Sequence, residues 1–310
     1  MSRIEQALEK AAMLRGTTTE SGPVAVPRQT DDVPPRERAG LPPFPAEPLD
    51  GIRHDNPLLA TLNDPHSYVS EEYRKLKSAI VAGTSVGEFR NTVMITSTLG
   101  GEGKSITALN LAITLAQEYD NTVLLIDADL RKPMTAEYLG IPGERGLSEY
   151  LSVGAHLPEL LVRTGIGRLS ILPAGKPAAN PVELLSSQRM KDLLDEIRHR
   201  YPDRYVIIDA PPALPFAEVR SLSNLVDSIV FVVREGQSSL ANIDEAIGAL
   251  NRKKIIGIVF NEASAVGLSS KYGYGYRYGG YGQSSEPAEA RSKAEKTGKL
   301  ARIMGKGGSK

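Results

Sequence analysis

Cysteine is absent from the 310 residues, which excludes disulfides, thiolate metal sites and a cysteine nucleophile together. Histidine is nearly as scarce: His54, His66, His156 and His199 are too far apart in sequence to suggest a metal cluster. Neither sign of charge is in excess. Lys and Arg number 37, Asp and Glu 37, and the formal net charge is zero. That balance argues against a globally basic nucleic-acid binder, so no nucleic-acid partner is expected. Long hydrophobic runs are missing too: stretches such as Ile229–Val233 fall far short of the ~20 residues that span a bilayer. The opening MSRIEQALEK has no apolar run behind a basic one, so no secretory signal is expected. These absences predict a cytoplasmic chain that works at a membrane only if another molecule holds it there.

Proline is unevenly spread. Ten prolines fall between Glu20 and Pro65 among few aliphatic residues, a composition that cannot bury enough apolar surface to offset the entropy of ordering. Residues 16–65 therefore read as an extended, disordered linker. Ahead of it, Ile4, Ala7, Leu8, Ala11 and Leu14 recur at helical spacing, so residues 1–15 read as an amphipathic docking helix. The stretch 66–265 is long enough for one hydrophobic core. After it, 266–310 is again poor in aliphatics and reads as a flexible tail with a basic end.

Within the central stretch, apolar runs alternate with helical patterns. Strands are predicted at 92–96, 122–126, 169–172, 205–208, 228–233 and 255–260, and a helix at 105–116. Asn180, Pro181 and Glu183 supply an N-cap, a first-turn proline and a capping-box glutamate for a long helix reaching about Arg200. Continuous Val/Ile/Leu runs imply strands covered on both faces. The pattern predicts an α/β fold: a doubly wound, mainly parallel sheet with helices on both faces. In such sheets the site lies at the carboxyl ends of the strands.

Those ends carry the informative residues. Leu99-Gly-Gly-Glu-Gly-Lys-Ser105 leaves a strand and opens a helix. Gly100, Gly101 and Gly103 let successive backbone N–H groups converge on phosphate oxygens, and the helix N-terminus adds its dipole. Lys104 would bridge the β- and γ-phosphates, and the Ser105 hydroxyl would ligate Mg²⁺. Thr98 stands where the strict phosphate-loop pattern has glycine. Two further strands end on acids, Asp127-Ala-Asp129-Leu-Arg131 and Asp209-Ala-Pro-Pro212. A magnesium–nucleotide complex needs hard oxygen ligands, and an attacking hydroxyl needs an acceptor for its proton. The chain is expected to bind a nucleoside triphosphate.

Together with Leu172-Pro-Ala-Gly-Lys-Pro-Ala-Ala-Asn-Pro-Val-Glu-Leu-Leu185 and a C-terminal tyrosine cluster, these segments resemble the bacterial protein-tyrosine kinases that regulate exopolysaccharide synthesis. The resemblance runs from about Ser67 to Tyr281 and looks closest to the exosortase-associated tyrosine autokinases. It implies a P-loop NTPase fold and ATP and Mg²⁺ as cofactors. ATP would be held by Gly100, Gly101, Glu102, Gly103, Lys104, Ser105 and Ile106, with Asn261 at the adenine. Asp127 would help activate the tyrosine hydroxyl and, with Ser105, Asp129 and Asp209, make up the Mg²⁺ site, the last two partly through water. Arg131 would stabilise charge or order its loop. Implied partners are a transmembrane chain-length or co-polymerase activator, further copies of the chain, and a tyrosine phosphatase. The implied location is the inner face of the cell membrane.

Two features lie outside the phosphate site. Glu71, Arg74 and Lys77 form a stripe at i, i+3, i+6 beside an apolar face of Val69, Tyr73, Leu76 and Ile80. Read alone, the stripe is either a solvated helix with local ion pairs or an oligomer interface. The resemblance favours the interface, with Lys77 in place of the last arginine of the family's Glu-x-x-Arg-x-x-Arg motif. The second feature is the tail: of 12 tyrosines, Tyr272, Tyr274, Tyr276, Tyr278 and Tyr281 fall within ten residues. A core is not built from Tyr alternating with Gly, so these read as phosphoacceptors. From Glu262 to Tyr272 the chain spans up to roughly 35 Å, enough to reach a neighbouring copy's site in trans. A partitioning or positioning ATPase of the same fold is the competing reading. That group carries a lysine early in its loop, where this chain has Leu99. A non-enzymatic, nucleotide-gated assembly module is the third.

Overall fold

The apolar runs become strands in the computed structural model, which describes residues 55–84, 90–118, 122–200 and 204–264. The docking helix of 1–15, most of the linker and the tyrosine cluster lie outside these residues. The strands are β1 (Thr92–Ser97), β2 (Thr122–Asp127), β3 (Val162–Arg163), β4 (Leu169–Leu172), β5 (Arg204–Asp209), β6 (Ser228–Arg234) and β7 (Ile255–Asn261). They form one sheet in the order β3-β4-β2-β5-β1-β6-β7. Every pairing is parallel except β3 with β4. The antiparallel β3 was not anticipated; two residues are too few to carry a period.

Alternate strand residues enter two separate cores, one on each face. Met94, Leu124, Ile126, Val206, Ile208 and Phe231 pack against the helices Leu147–Val153, Gln188–Arg200 and Glu218–Leu225. Val93, Ile95, Val123, Leu125, Ile207 and Val232 pack against the helix Lys104–Ala116. Burial on both faces is why the strands read as unbroken apolar runs.

The structure departs from the sequence reading at three points. The predicted linker ends too late: Leu59 is fully buried and Ala60–Asn63 is helical. Asn110, buried on the Lys104–Ala116 helix, holds that segment. Its Oδ1 accepts from Thr61 N at 3.0 Å and Thr61 Oγ1 at 2.9 Å, and its Nδ2 donates to the Leu58 carbonyl at 2.9 Å. The second departure is the helix predicted to run to Arg200, which is two helices, Pro181–Leu185 and Gln188–Arg200. Ser187 breaks it by accepting Met190 N at 3.2 Å, as an N-cap does, whereas the Asn180 side chain makes no cap hydrogen bond. Third, in the helix Tyr68–Thr84, Ile80 is buried and Leu76 packs on the core, but Val69 at the helix start is exposed.

Candidate active site

The turn between β1 and the Lys104–Ala116 helix needs glycine at two places. Gly101 has φ +86° and Gly103 φ +91°, left-handed conformations that L side chains rarely adopt. Gly103 is crowded as well: a Cβ there would sit 2.1 Å from Asn261 Nδ2. Thr98, where the strict pattern has glycine, is buried, and its carbonyl accepts Leu214 N at 3.2 Å. Gly103 offers no side chain to cap the helix it precedes, so the first-turn N–H groups remain available to an anion.

Parallel pairing of β2 with β5 sets Asp127 directly opposite Asp209 at the strand ends. Both are fully buried. Lys104, from the phosphate loop, inserts its ammonium between the acids: Nζ is 2.8 Å from Asp129 Oδ2, 3.5 Å from Asp209 Oδ1 and 3.1 Å from the Ser105 hydroxyl. Burial disfavours the Lys104 charge, but Asp209 and Asp129 outweigh it and raise its pKa. Burial, and next the facing Asp209, push the Asp127 carboxyl up to about 7. Asp127 Oδ2 accepts from Thr135 N (3.1 Å), Thr135 Oγ1 (2.7 Å) and Met134 N (3.3 Å), and Oδ1 accepts from Asp129 N (3.1 Å). Burial also raises Asp209, against the pull of Lys104. Its Oδ2 is buried with no hydrogen-bond partner. Such an orphan acceptor beside a hydroxyl and a second carboxylate fits a small hard cation. Mg²⁺ at phosphate sites takes one or two carboxylates and leaves its other positions to phosphate and water. Among the described residues there is no cluster of three or more acids and histidines placed to cage a metal.

The cleft in front of these groups has a volume of about 390 Å³. One wall is Gly100, Gly101, Gly103, Lys104, Ser105 and Ile106. The apolar part of the lining is Met134, Tyr138, Pro212, Pro215 and Phe216, and Arg131, Lys132 and Asp129 add polar groups. Tyr138 and Phe216 carry no sequence signal, because no local pattern says which loop a strand order will fold over a cleft.

Arg131 has a partner the sequence did not suggest. Its Nε donates to Glu218 Oε1 at 2.6 Å, and its guanidinium carbon lies 4.6 Å from the Phe216 ring centroid. Glu218 is fully buried, while 37% of the arginine side chain is exposed. Arg131→Ala should leave a buried, unpaired carboxylate. We expect a loss of about 2–3 kcal/mol, below the range for a fully buried pair because one partner is solvated. That is a fall of roughly 5–10 °C in thermal midpoint. Adding Glu218→Gln should recover part of it. An unchanged midpoint in Arg131→Ala would contradict the assignment.

Other predicted residues lie apart from the cleft wall. Glu102 is fully buried, accepting Leu99 N at 2.8 Å and Ser238 Oγ at 2.7 Å. Asn261 donates its Nδ2 to the Glu102 carbonyl at 3.0 Å. Glu71, Arg74 and Lys77 do not line the cleft: Arg74 pairs with Glu71 at 2.7 Å and donates to the Pro65 carbonyl, and Lys77 pairs with Glu118. The five tyrosines predicted as acceptors lie outside the described residues. Among the described residues no helix is long and apolar enough to cross a membrane.

Comparison with known proteins agrees with this geometry. Residues 93–267 match the CobQ/CobB/MinD/ParA nucleotide binding domain. The tyrosine-protein kinase YwqD of Bacillus subtilis is 36% identical over 215 residues, 69% of this chain and 89% of that one. The tyrosine-protein kinase CpsD of Streptococcus agalactiae is 32% identical over 200 residues, 64% of this chain and 84% of its own length. Among solved structures, the kinase domain of the Escherichia coli tyrosine kinase ETK superposes with a TM-score of 0.61 at 28% identity, covering 70% of this chain and 84% of the other. With the phosphate loop, the paired strand-end acids and these relatives in agreement, the chain belongs to the bacterial tyrosine-protein kinases, built on the CobQ/CobB/MinD/ParA nucleotide-binding domain.

Proposed function

We propose that this kinase transfers the γ-phosphate of ATP to its own C-terminal tyrosines, Tyr272, Tyr274, Tyr276, Tyr278 and Tyr281, in trans, and thereby regulates exopolysaccharide polymerisation or export. The observation that carries the proposal is the ammonium of Lys104, on the phosphate loop, held between Asp129 and Asp209 at a cleft whose lining includes Tyr138, Pro212, Pro215 and Phe216. The loop N–H groups and Lys104 hold the phosphates, and Ser105, Asp209 and Asp129 would hold Mg²⁺ with Asp127 beside them. Bound there, Mg²⁺ would supply charge stabilisation for the transferring phosphoryl group. The tyrosine O–H bond breaks as its oxygen joins phosphorus, the bond from phosphorus to the ADP oxygen breaks, and Asp127 takes the proton. Burial and the facing Asp209 raise the Asp127 carboxyl, the direction that favours its taking up a proton. Asn261 sits where β7 ends beside the loop, and we assign it to the adenine side. Incubation with labelled ATP followed by phosphotyrosine mapping tests the whole reading: label is expected within residues 272–281, and a chain that hydrolyses ATP without labelling itself would overturn it.

The narrower exosortase-associated grouping rests on the sequence resemblance alone. In this reading residues 1–15 dock on a transmembrane chain-length or co-polymerase activator, which keeps the kinase peripheral at the inner face of the membrane, and a tyrosine phosphatase reverses the reaction.

Assembly follows from charge. Each phosphotyrosine adds about −1.5 to −2 charges at neutral pH, so five place roughly −7.5 to −10 near the site that holds Asp127, Asp129 and Asp209. A neutral tail docked across a subunit boundary should then be repelled. The unphosphorylated chain is expected to associate and the phosphorylated one to separate, with Arg74→Glu mimicking separation. Sedimentation of the three species at matched nucleotide and salt checks this; identical masses would sink the switch and leave the kinase reading standing.

A further inference from the structure

Three successive carbonyls of the phosphate loop are gripped from outside it. Gly100 O accepts Gln237 Nε2 at 2.7 Å, Gly101 O accepts an Arg234 guanidinium nitrogen at 3.4 Å, and Glu102 O accepts Asn261 Nδ2 at 3.0 Å. The Glu102 carboxylate takes a fourth contact from Ser238 Oγ at 2.7 Å. Three of the four come from one short strap, residues 234–238, where β6 ends. Peptide planarity gives this grip a consequence. In a trans peptide the C=O of one residue and the N–H of the next point in opposite directions. Holding the carbonyls of residues 100 and 101 therefore turns the N–H groups of residues 101 and 102 away from the strap, and holding that of residue 102 turns the residue 103 N–H away from Asn261.

The same strap holds the chain that leaves β7 toward the tyrosine cluster. Arg234 pairs with Glu262 at 2.5 Å, and Glu235 N donates to the Asn261 carbonyl at 3.1 Å. The Glu235 carboxylate accepts both Ser264 N and Ser264 Oγ. Glu262 has φ +52°, the one left-handed non-glycine among the described residues. A conformation of that kind persists where surrounding contacts hold it. Arg234 thus touches the phosphate loop with one part of its guanidinium and the exit of β7 with another.

We propose that the strap Arg234–Ser238 positions the phosphate loop for nucleotide and couples it to Glu262–Ser264, so that nucleotide affinity depends on how the chain leaves β7. Coupling of this kind is reciprocal: a bound nucleotide strengthens the hold on Glu262, and loss of that hold weakens nucleotide binding. Gln237, Arg234 and Ser238 act through the loop, so they are positioning residues.

The test is titration calorimetry with MgATP on the full chain, beside kcat and KM for ATP. Gln237→Ala and the similarly sized Gln237→Met, which keeps the packing but removes the donor, should each raise Kd about three- to tenfold, the effect of one hydrogen bond. Their kcat at saturating ATP should stay within about twofold of wild type, and the midpoint of the nucleotide-free chain should not move. Arg234→Ala and Glu262→Gln, which break a more exposed pair, should each raise Kd about two- to fivefold. The double variant should be no weaker than the weaker single, the mark of a shared contact. Unchanged affinity in both Gln237 variants would overturn the proposal. So would full additivity of Arg234→Ala and Glu262→Gln, which would leave the exit of β7 uncoupled. The proposal rests on ATP as the nucleotide: a wild-type chain that takes up no MgATP fails that reading, whereas equal uptake by wild type and every variant fails the strap alone.

Discussion

Lys104→Met is expected to reduce tyrosine phosphorylation by at least about a hundredfold, the scale on which a single donor aimed at developing charge contributes to catalysis. The geometry adds a second effect. Lys104 is the cation that Asp129 and Asp209 face at 2.8 and 3.5 Å, and all three side chains are at most a tenth exposed. Removing it leaves two carboxylates without their partner in a site that water scarcely reaches. Breaking a buried pair in this way costs about 3–5 kcal/mol. The nucleotide-free chain should therefore melt lower as well as lose activity, and phosphorylation must be measured well below the new midpoint. Labelling that persists within tenfold of wild type, in protein shown by circular dichroism to be folded, would reject Lys104 as the phosphate-binding lysine.

Asp209→Asn is expected to move stability and activity in opposite directions. Asp209 is fully buried, faces Asp127 across the β2–β5 ladder, and has one oxygen with no partner. Burial raises its pKa above the usual carboxylate value. The sign follows by linkage. A carboxyl whose folded pKa is raised binds its proton more tightly folded than unfolded, so the fold loses stability as pH rises through that window and carries the penalty near neutrality. Asparagine has nearly the same shape and no charge to desolvate. The variant should gain about 1 kcal/mol at pH 7, a rise of roughly 2–4 °C in the midpoint of the nucleotide-free chain. Lys104 keeps its shorter contact with Asp129. Phosphotransfer should nevertheless fall about a hundred- to a thousandfold, because the orphan oxygen proposed to meet the metal is gone. A lower midpoint, or undiminished labelling, would show that Asp209 is a structural residue. The penalty in the wild type is what a binding site looks like without its ligand: charge held ready at a cost to the empty fold.

What could be read from the sequence was local. Gly101 and Gly103 stand where the chain turns left-handed, and glycine is the residue that adopts that conformation without a steric penalty. Val/Ile/Leu runs marked six strands because burial on both faces leaves no polar alternation. Asp127 and Asp209 were found because each ends such a run. Where the reading failed locally, a small side chain decided: Ser187 capped a new helix inside a continuous helical pattern, and Asn110 drew residues 58–61 onto the core although the surrounding composition resembles a linker.

The pairings were a different matter. Arg131 and Glu218 are 87 positions apart, Gln237 reaches back 137 positions to Gly100, and Asn261 reaches 159 to Glu102. Nothing in the neighbourhood of any of these residues names its partner. The strand order places β5 and β6 on either side of β1, with β2 beyond one and β7 beyond the other, so five strand ends converge on one loop. The sequence alone determined that this chain carries a phosphate loop and strand-end acids, because backbone conformation and burial periodicity are written in adjacent residues. Only the tertiary structure decided which charges meet, which stay unpaired and what grips the loop, because desolvation and ion pairing depend on distances that the order of strands in the sheet creates.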